Sequence, residues 1–317
     1  MSYSHVKNLA ITGKLAVGNR DFEMDILNSS GNLMLEQWGA GVAYYVDVNA
    51  GADTNNGLSW STAFKTYAVA VAANNANIAS GLSGYAARNR LYYKGDNNEA
   101  AAETITTLPN KCDVIGVGSY DHRPMPFMIG NHVVGAGAYM GTRFINMGFL
   151  SPAAGGAIFT VPTTTSGLAF IGCMFDGRSA TAATIGVSLT GVEQASIIGC
   201  RFVGKFSTEA IYIGTGSGRM LMISDNFIES GAIGIAVHAS FTTADCAAWI
   251  VRNYFDVVTI VVDDDSSKIT ISGNRGRTAS AGTNALTWSW NVKLASDNII
   301  SNDATTSVYP VLAAIPT

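Results

Sequence analysis

Short apolar runs recur at nearly constant spacing between Thr142 and Ser301. Each run is rich in Ile, Val and Phe and is bounded by Gly, Ser, Asn or Asp, which is the pattern of a short strand between turns. Seven runs end at positions 149, 175, 202, 227, 254, 275 and 299, so they recur every 21–27 residues. No unit contains a long stretch with apolar residues at helical spacing. A repeat of this length predicts a solenoid of β coils.

The size of the repeat also predicts the type of coil. Three short strands and three turns fill about 25 residues, which predicts an all-β chain folded as a right-handed parallel β-helix. Coils of this kind stack ~4.8 Å apart, so equivalent positions lie above one another. Cys173 and Cys200 form one such pair, and Ile198 is expected in the core. Stacked amides bond to each other and to the turn backbone, which predicts a structural ladder of four asparagines: Asn226, Asn253, Asn274 and Asn298.

The first 41 residues do not share the repeat. Alternating apolar positions predict extended strands there, and the segment is too small to form much of a core. One interpretation is that it packs on its own coils; the other is an arm that engages a partner protein. The candidate docking residues are Val6, Leu9, Ile11, Leu15, Val17, Phe22, Ile26 and Leu33.

A cap is predicted directly after this segment. The run from Tyr44 to Thr66 reads as a strand, a Gly/Asn/Asp turn and the start of a helix that Ser59 or Ser61 can cap. The predicted helix, near 61–79, places one set of residues on a single face: Phe64, Tyr67, Ala68, Val71 and Ile78. This stretch resembles the N-terminal cap of pectate-lyase-like β-helix proteins. The turn from Asp53 to Gly57 faintly resembles a calcium loop, but a plain turn is favoured because the later Glu is missing.

These patterns divide the chain into three parts. Residues 1–41 are the arm, residues 42–301 the capped parallel β-helix, and residues 302–317 a C-terminal segment. The last segment is apolar and bounded by proline, which suits either a cover over the last coil or a contact in a trimer.

Composition narrows the possible partners. Charged residues make up 13% of the 317 residues, the net charge is −4, and there is no basic run, so we expect no nucleic-acid partner. No apolar run is long enough to cross a membrane, and the N-terminus has no apolar signal core, so synthesis in a cytosol is expected. The four cysteines lack CxxC or zinc spacing and are interpreted as small buried hydrophobes: Cys112, Cys173, Cys200 and Cys246. No cofactor is expected.

Candidate catalytic groups are few in the sequence. A lyase needs a carboxylate cluster with a basic residue, and a hydrolase needs two carboxylates on one face. The densest acidic run, Asp263 to Asp265, is interpreted as a solvated turn. Neighbouring coils supply six more charged residues whose faces the sequence does not fix: Asp176, Arg178, Arg201, Lys205, Glu209 and Glu229. His5, His122, His132 and His238 show no ligand spacing. We therefore predict no catalytic residue, no metal site and no enzymatic activity.

A second resemblance suggests a role. The run from Cys112 to Gly118 is similar to the early coils of virus-encoded β-helix proteins, and the whole chain resembles a short bacteriophage tailspike. The resemblance implies a non-enzymatic homotrimeric spike that decorates or stabilises the capsid, with the major capsid protein or another virion protein as its partner. It also implies location on the virion. The alternative is a tailspike that binds or cleaves host surface polysaccharide, with aromatic contacts drawn from Tyr120, Tyr212, Trp249, Trp288 and Trp290.

Overall fold

The structure is a computed structural model. It describes residues 15–17, 20–22, 41–80, 87–95, 101–118, 125–152, 156–161, 165–177, 183–204, 206–214, 220–229, 232–238, 248–258, 260–264, 269–278, 286–288, 294–302 and 305–311. These residues form a parallel β-solenoid, so the fold predicted from the repeat is confirmed. Among them, no helix has the length and apolar character needed to cross a bilayer.

Three long sheets make up the solenoid, and from Cys112–Val117 onward the described strands visit them in the same order in each coil. Sheet I has ten strands: Ala43–Asp47, Asn89–Lys94, Cys112–Val117, Thr142–Ile145, Ala169–Ile171, Ser196–Ile198, Leu221–Ser224, Ala248–Val251, Ile269–Ser272 and Leu294–Ser296. Sheet II has ten: Ala101–Ala102, Phe127–Ile129, Gly148–Leu150, Met174–Asp176, Arg201–Val203, Phe227–Glu229, Tyr254–Val258, Arg275–Thr278, Asn298–Asn302 and Thr305–Val311.

Sheet III and two small sheets complete the described strands. Sheet III has seven strands: His132–Val133, Phe159–Val161, Ile185–Leu189, Glu209–Ile213, Ile233–Val237, Ile260–Asp264 and Leu286–Trp288. A three-stranded sheet contains Tyr139–Met140, Thr165–Ser166 and Val192–Glu193. A separate antiparallel pair joins Leu15–Val17 to Arg20–Phe22.

The core consists of inward columns, one residue per coil. Phe144 stacks on Phe170 at 5.4 Å in sheet I, and Phe175 stacks on Phe202 at 4.7 Å in sheet II. Ile197 continues the sheet I column and is 1% exposed. The prediction that Ile198 is buried is wrong, because successive residues of a strand point to opposite faces and Ile198 is half-buried on the outer one.

The turn between sheets I and II is the same in each coil. Its first residue has a φ of 55–64° in seven consecutive coils, at Asn146, Gly172, Gly199, Asp225, Arg252, Gly273 and Asp297. This left-handed conformation favours Gly, Asn and Asp. The next residue points into the core, where Asn226, Asn253, Asn274 and Asn298 form a continuous column.

Each asparagine of this column bonds both to its neighbour and to the backbone. Asn253 donates from Nδ2 to the Ile223 carbonyl (3.0 Å) and to Asn274 Oδ1 (3.0 Å), and its own Oδ1 accepts from the backbone N–H of Asn226 (3.1 Å). Cys173 and Cys200 occupy the same position in earlier coils, where their Sγ atoms lie 3.4 Å from the equivalent carbonyls. Both are buried free thiols, as is Cys112. Cys246 lies outside the described residues.

A helix covers the first coils. A 3-10 turn, Trp60–Thr62, is capped by Ser59, and the α-helix is Tyr67–Ser80. The helix starts later than the sequence predicts, and its buried residues are Tyr67, Ala70, Val71 and Asn74. Ala68, predicted on the inner face, is exposed. The residues three, four and seven positions after Tyr67 lie on the same face of the helix as Tyr67. The first residue of the helix therefore determines which face packs inward.

Two carboxylates hold the start of this helix. Asp53 Oδ1 accepts from the backbone N–H groups of Lys65 (3.0 Å) and Thr66 (2.9 Å). Glu103 accepts from the Tyr67 N–H and from the Tyr93 hydroxyl (3.1 Å). Anionic groups at a helix N-terminus satisfy its unpaired N–H donors and oppose its dipole. Asp53 therefore serves the cap in this structure.

The opposite end is covered by the C-terminal segment. Its strand, Thr305–Val311, pairs antiparallel with Asn298–Asn302 at the edge of sheet II. Pro310, in this edge strand, has no N–H to donate, and proline is typical of protected sheet edges.

The arm and the solenoid separate as two compact units. One unit spans Met1–Gly39 and the other Ala40–Thr317. In the first unit Leu15, Val17 and Phe22 lie in the antiparallel strand pair. The other candidate docking residues, Val6, Leu9, Ile11, Ile26 and Leu33, lie outside the described residues.

Candidate functional site

The outer face of sheet II carries aromatic, cationic and acidic side chains on adjacent strands. In the strands Phe227–Glu229 and Tyr254–Val258, Ile228 and Phe255 are fully buried. Side chains alternate between the two faces of a strand, so the residues immediately before and after Ile228 and Phe255 point outward. The outer face consequently shows an aromatic residue and a carboxylate on each of two adjacent strands.

The aromatic residues form a stack with a cation above it. The Phe227 and Tyr254 rings are parallel within 10° and 5.6 Å apart, and the Arg201 guanidinium lies 5.6 Å from the centre of the Phe227 ring. Tyr254 is 46% exposed, and Arg275 is its register partner in the next coil. Exposed aromatic and guanidinium groups provide an apolar surface with hydrogen-bond donors around it, which suits the alternating C–H and hydroxyl groups of a sugar.

The carboxylates occupy the same position in adjacent coils. Glu229 and Asp256 are register partners, so their Cα atoms lie ~4.8 Å apart across the sheet. Asp256 accepts from Arg277 Nε at 2.5 Å. Glu229 has no hydrogen-bond or ion-pair partner among the described residues. One carboxyl group of the pair is therefore fixed by an arginine, and the other is not held by any group that the structure describes.

Sheet III carries a second, sparser group. The Tyr212 ring lies edge-on to the His238 ring, with 6.4 Å between ring centres. Tyr212 is the register partner of Ala236 in the next coil, and Ala236 is the register partner of Asp263 in the coil after that. Burial and the charge of Glu209 raise the pKa of the Tyr212 hydroxyl. Neither register partner of Glu209 in the adjacent coils is a carboxylate. Among the described side chains, the sheet III group therefore lacks the pair of carboxylates seen on sheet II.

The structure shows which faces are occupied by charged residues whose faces the sequence did not determine. Arg201 and Glu229 lie on the outer face of sheet II, whereas Asp176 is only 1% exposed. Arg178 and Lys205 lie outside the described residues. The interpretation of the acidic run as a turn is wrong for Asp263 and Asp264, which end a sheet III strand.

Sequence reasoning missed Phe227, Tyr254 and Asp256. A signal for them exists, because Phe227-Ile228-Glu229 and Tyr254-Phe255-Asp256 repeat the order aromatic, apolar, acidic at the same place in successive units. If equivalent positions of successive units are aligned, both carboxylates fall on the same face of the sheet. The prediction concentrated on acidic residues close in sequence, whereas a solenoid brings together residues one coil apart.

The described part of the chain shows no metal cluster that would mark a different site. No group of three His, Cys, Asp or Glu residues there could hold a metal ion. A cavity of about 120 Å³ lies between the capping helix and the segment Thr104–Thr107, with Tyr67 and Val71 in its wall. Ligand pockets usually exceed ~300 Å³, so this cavity is too small for a sugar ring with its neighbours. The sheet II face is open and suits an extended polymer.

Comparisons with known proteins show a similar fold but do not assign the chain to a family. No family model matches the chain, and no curated protein matches it in sequence. The solenoid is similar to the crystal structure of a GH136 lacto-N-biosidase from Eubacterium ramulus, with a TM-score of 0.50 and 11% identity over 82% of this chain and 55% of that one. The chain thus spans little more than half the length of that enzyme. Pectate lyase Pel9A is also similar, with a TM-score of 0.42 and 12% identity over 83% of this chain and 78% of that one.

This finding contradicts the prediction that the chain is not an enzyme. That prediction depended on the absence of a visible pair of carboxylates, and the fold proves to be one that a glycoside hydrolase also has. The sequence-based prediction overlooked one pair of carboxylates, because Glu229 and Asp256 are 27 residues apart in sequence but adjacent in the sheet.

Proposed function

We propose that the protein binds an extended polysaccharide along the outer face of sheet II and hydrolyses it at Glu229 and Asp256. The observation that carries this proposal is the register pairing of the two carboxylates beside the Arg201, Phe227 and Tyr254 stack. The similarity to a structure named as a lacto-N-biosidase supports it at the level of the fold.

The surroundings of the two carboxylates assign their roles. Asp256 is held by Arg277, and this fixed carboxylate suits attack on the anomeric carbon. Glu229, the register partner of Asp256 on the neighbouring strand, would then donate a proton to the glycosidic oxygen. Register partners ~4.8 Å apart at Cα can bring two carboxyl groups within range of the ~5 Å separation of retaining glycosidases. Water would then hydrolyse the glycosyl ester, with Glu229 accepting its proton.

The test is release of reducing ends from a panel of bacterial surface polysaccharides. Glu229→Gln and Asp256→Asn should each lower the rate at least about a hundredfold, because each removes one of the two groups. Asp225→Asn is the matched control, since Asp225 is also paired with an arginine, Arg252, but lies exposed in the turn between the sheets. Equal rates in all variants, unsaturated products, or no hydrolysis of any member of the panel by the parent protein would contradict the proposal.

A second proposal concerns assembly: the chain is a homotrimeric spike of a bacteriophage virion, attached to the capsid or another virion protein through residues 1–41. Its support is the separation of Met1–Gly39 from the rest of the chain as a compact unit. Further support is a half-buried apolar column on the outer face of sheet I, made by Ile115, Ile145, Ile171 and Ile198. Such columns gain stability when covered by other copies. A monomeric mass by light scattering would contradict it.

A further inference from the structure

A group of aromatic side chains lies on the outer face of sheet I at the capped end of the solenoid. Tyr45 and Tyr92 are register partners whose rings stack at 5.4 Å. Trp60, in the 3-10 turn, meets Tyr45 edge-on at 4.9 Å and is 42% exposed. We call these three residues the aromatic corner. The seven-strand span of sheet I from Asn89–Lys94 to Ala248–Val251 separates it from the coil of Tyr254, a distance of ~29 Å along the axis.

Arginines line one side of the aromatic corner. Asp113 is shared by two of them: Arg88 donates to its Oδ1 from Nε at 2.7 Å, and Arg143 donates to both oxygens at 2.6 and 2.8 Å. Burial alone would raise the pKa of the Asp113 carboxyl, but the bonds from Arg143 and Arg88 outweigh it and lower this pKa. The Arg143 side chain is still 42% exposed and that of Arg88 26% exposed. One carboxylate thus orients two guanidinium groups and leaves a net positive charge.

A lysine lines the other side. Lys94 lies two residues beyond Tyr92 on the same strand and donates to Asp47 at 2.7 Å. Asp47 also accepts from the backbone N–H groups of Asn49 and Ala50, so it is fixed in place. Two further cations belong to this region: Arg90, in register with Asp113, and Lys111 at the start of the Asp113 strand. Among the described residues the region therefore has five cations, Arg88, Arg90, Lys94, Lys111 and Arg143, and two anions, in a chain of net charge −4.

We propose that the aromatic corner and its flanking arginines form a second binding site, specific for an anionic saccharide such as a uronate. The aromatic rings offer the apolar surface that the C–H face of a pyranose covers, and the guanidinium groups offer paired donors to a carboxylate. Neither feature alone distinguishes such a sugar from a neutral glycan or a simple anion. The proposed saccharide site does not depend on Glu229 or Asp256. A result that contradicts this proposal is therefore separate from one that contradicts the hydrolytic proposal.

The experiment is calorimetric titration of the full-length protein with oligomannuronate and, in parallel, with neutral β-1,4-oligomannose. Oligomannuronate should bind and the neutral oligomer should bind at least about tenfold more weakly. Trp60→Ala and Arg143→Gln should each weaken oligomannuronate binding about tenfold. Arg143→Gln leaves Asp113 paired with Arg88, so the fold is retained, and an unchanged melting temperature checks this. Arg252→Gln is the matched control, because Arg252 pairs with Asp225 in a distant turn.

Three results would overturn the proposal. One is equal affinity for the charged and neutral oligomers. Another is binding that Arg143→Gln lowers but Trp60→Ala does not, together with displacement by inorganic sulfate, which would make the region a general anion surface. The third is no binding of oligomannuronate by the parent protein. Reducing-end release by Trp60→Ala, measured separately, reports on the sheet II site alone.

Discussion

At the scale of single residues, the asparagine column shows how one side chain can support an entire turn. Each amide bonds one backbone carbonyl and one backbone N–H in neighbouring coils, so it links successive turns. The thiols of Cys173 and Cys200 face the same carbonyl position in their coils, so they are weaker members of the same column. The column therefore stabilises the turn by hydrogen bonding where asparagine is present and chiefly by packing where cysteine is.

Asn253→Ala should lower the free energy of unfolding by roughly 2–4 kcal/mol. The change leaves the Asn226 N–H buried without its partner, which costs ~1–3 kcal/mol, and it removes a further hydrogen bond to the Ile223 carbonyl worth about 1 kcal/mol. Urea denaturation would measure it. Asn49→Ala, at an exposed residue, is the control and should change the midpoint little. Equal effects of the two substitutions would show that the column is not stabilising.

His132 is a buried titratable group within this core. Its side chain is fully buried between the rings of Phe149 and Phe159, and its Nδ1 accepts from the Ile105 N–H at 3.0 Å. Burial lowers its pKa to about 4, against 6.5 when exposed. The unfolded chain therefore binds a proton more readily between these pH values, and stability falls as the pH drops from 6.5 to 4.

His132→Gln should remove this part of the pH dependence, because glutamine can accept from Ile105 without titrating. Relative to the variant, the parent protein should lose about 3 kcal/mol of stability between pH 7 and pH 4. Thermal or urea unfolding at a series of pH values measures the difference. A difference that stays constant with pH would exclude the assigned burial of the imidazole.

At the scale of the strand, register decides which residue of a pair is buried. Ile197 and Ile198 are adjacent and chemically identical, and only the pairing of Phe170 with Ile197 places the first inward. Ile197→Asp should therefore bury an unpaired charge at a cost of several kcal/mol, while Ile198→Asp should cost less than about 1 kcal/mol. Expression as soluble protein and urea midpoints compare the two. A larger loss for Ile198→Asp would mean that the register is shifted by one residue.

At the scale of the whole molecule, the solenoid has its ends covered by different elements. The helix Tyr67–Ser80 covers the first coils, fixed through Asn74 to Asn89, whose amide groups bond at 2.9 Å. The strand Thr305–Val311 covers the edge of sheet II at the other end. The lateral faces remain open, and they carry the two proposed glycan sites and the apolar column of sheet I.

Deletion of residues 1–41 should leave the solenoid folded, because its first strand begins at Ala43 and residues 1–39 form a separate unit. A far-ultraviolet spectrum and melting temperature like those of the full chain are expected. If the arm attaches a spike to virions, the shortened protein should also fail to bind particles. Loss of the solenoid fold would contradict the first expectation, and retained particle binding would contradict the role of the arm.

The amino-acid sequence by itself determined the parallel β-solenoid, its capped start and the membership of the asparagine column. These features follow from a repeat of nearly constant length, since stacking equivalent positions buries a continuous core. Only the tertiary structure decided which face each residue takes, because adjacent apolar residues such as Ile197 and Ile198 satisfy either register. It alone paired Glu229 with Asp256 and placed Trp60 beside Tyr45, since hydrogen bonding between coils joins residues far apart in the chain.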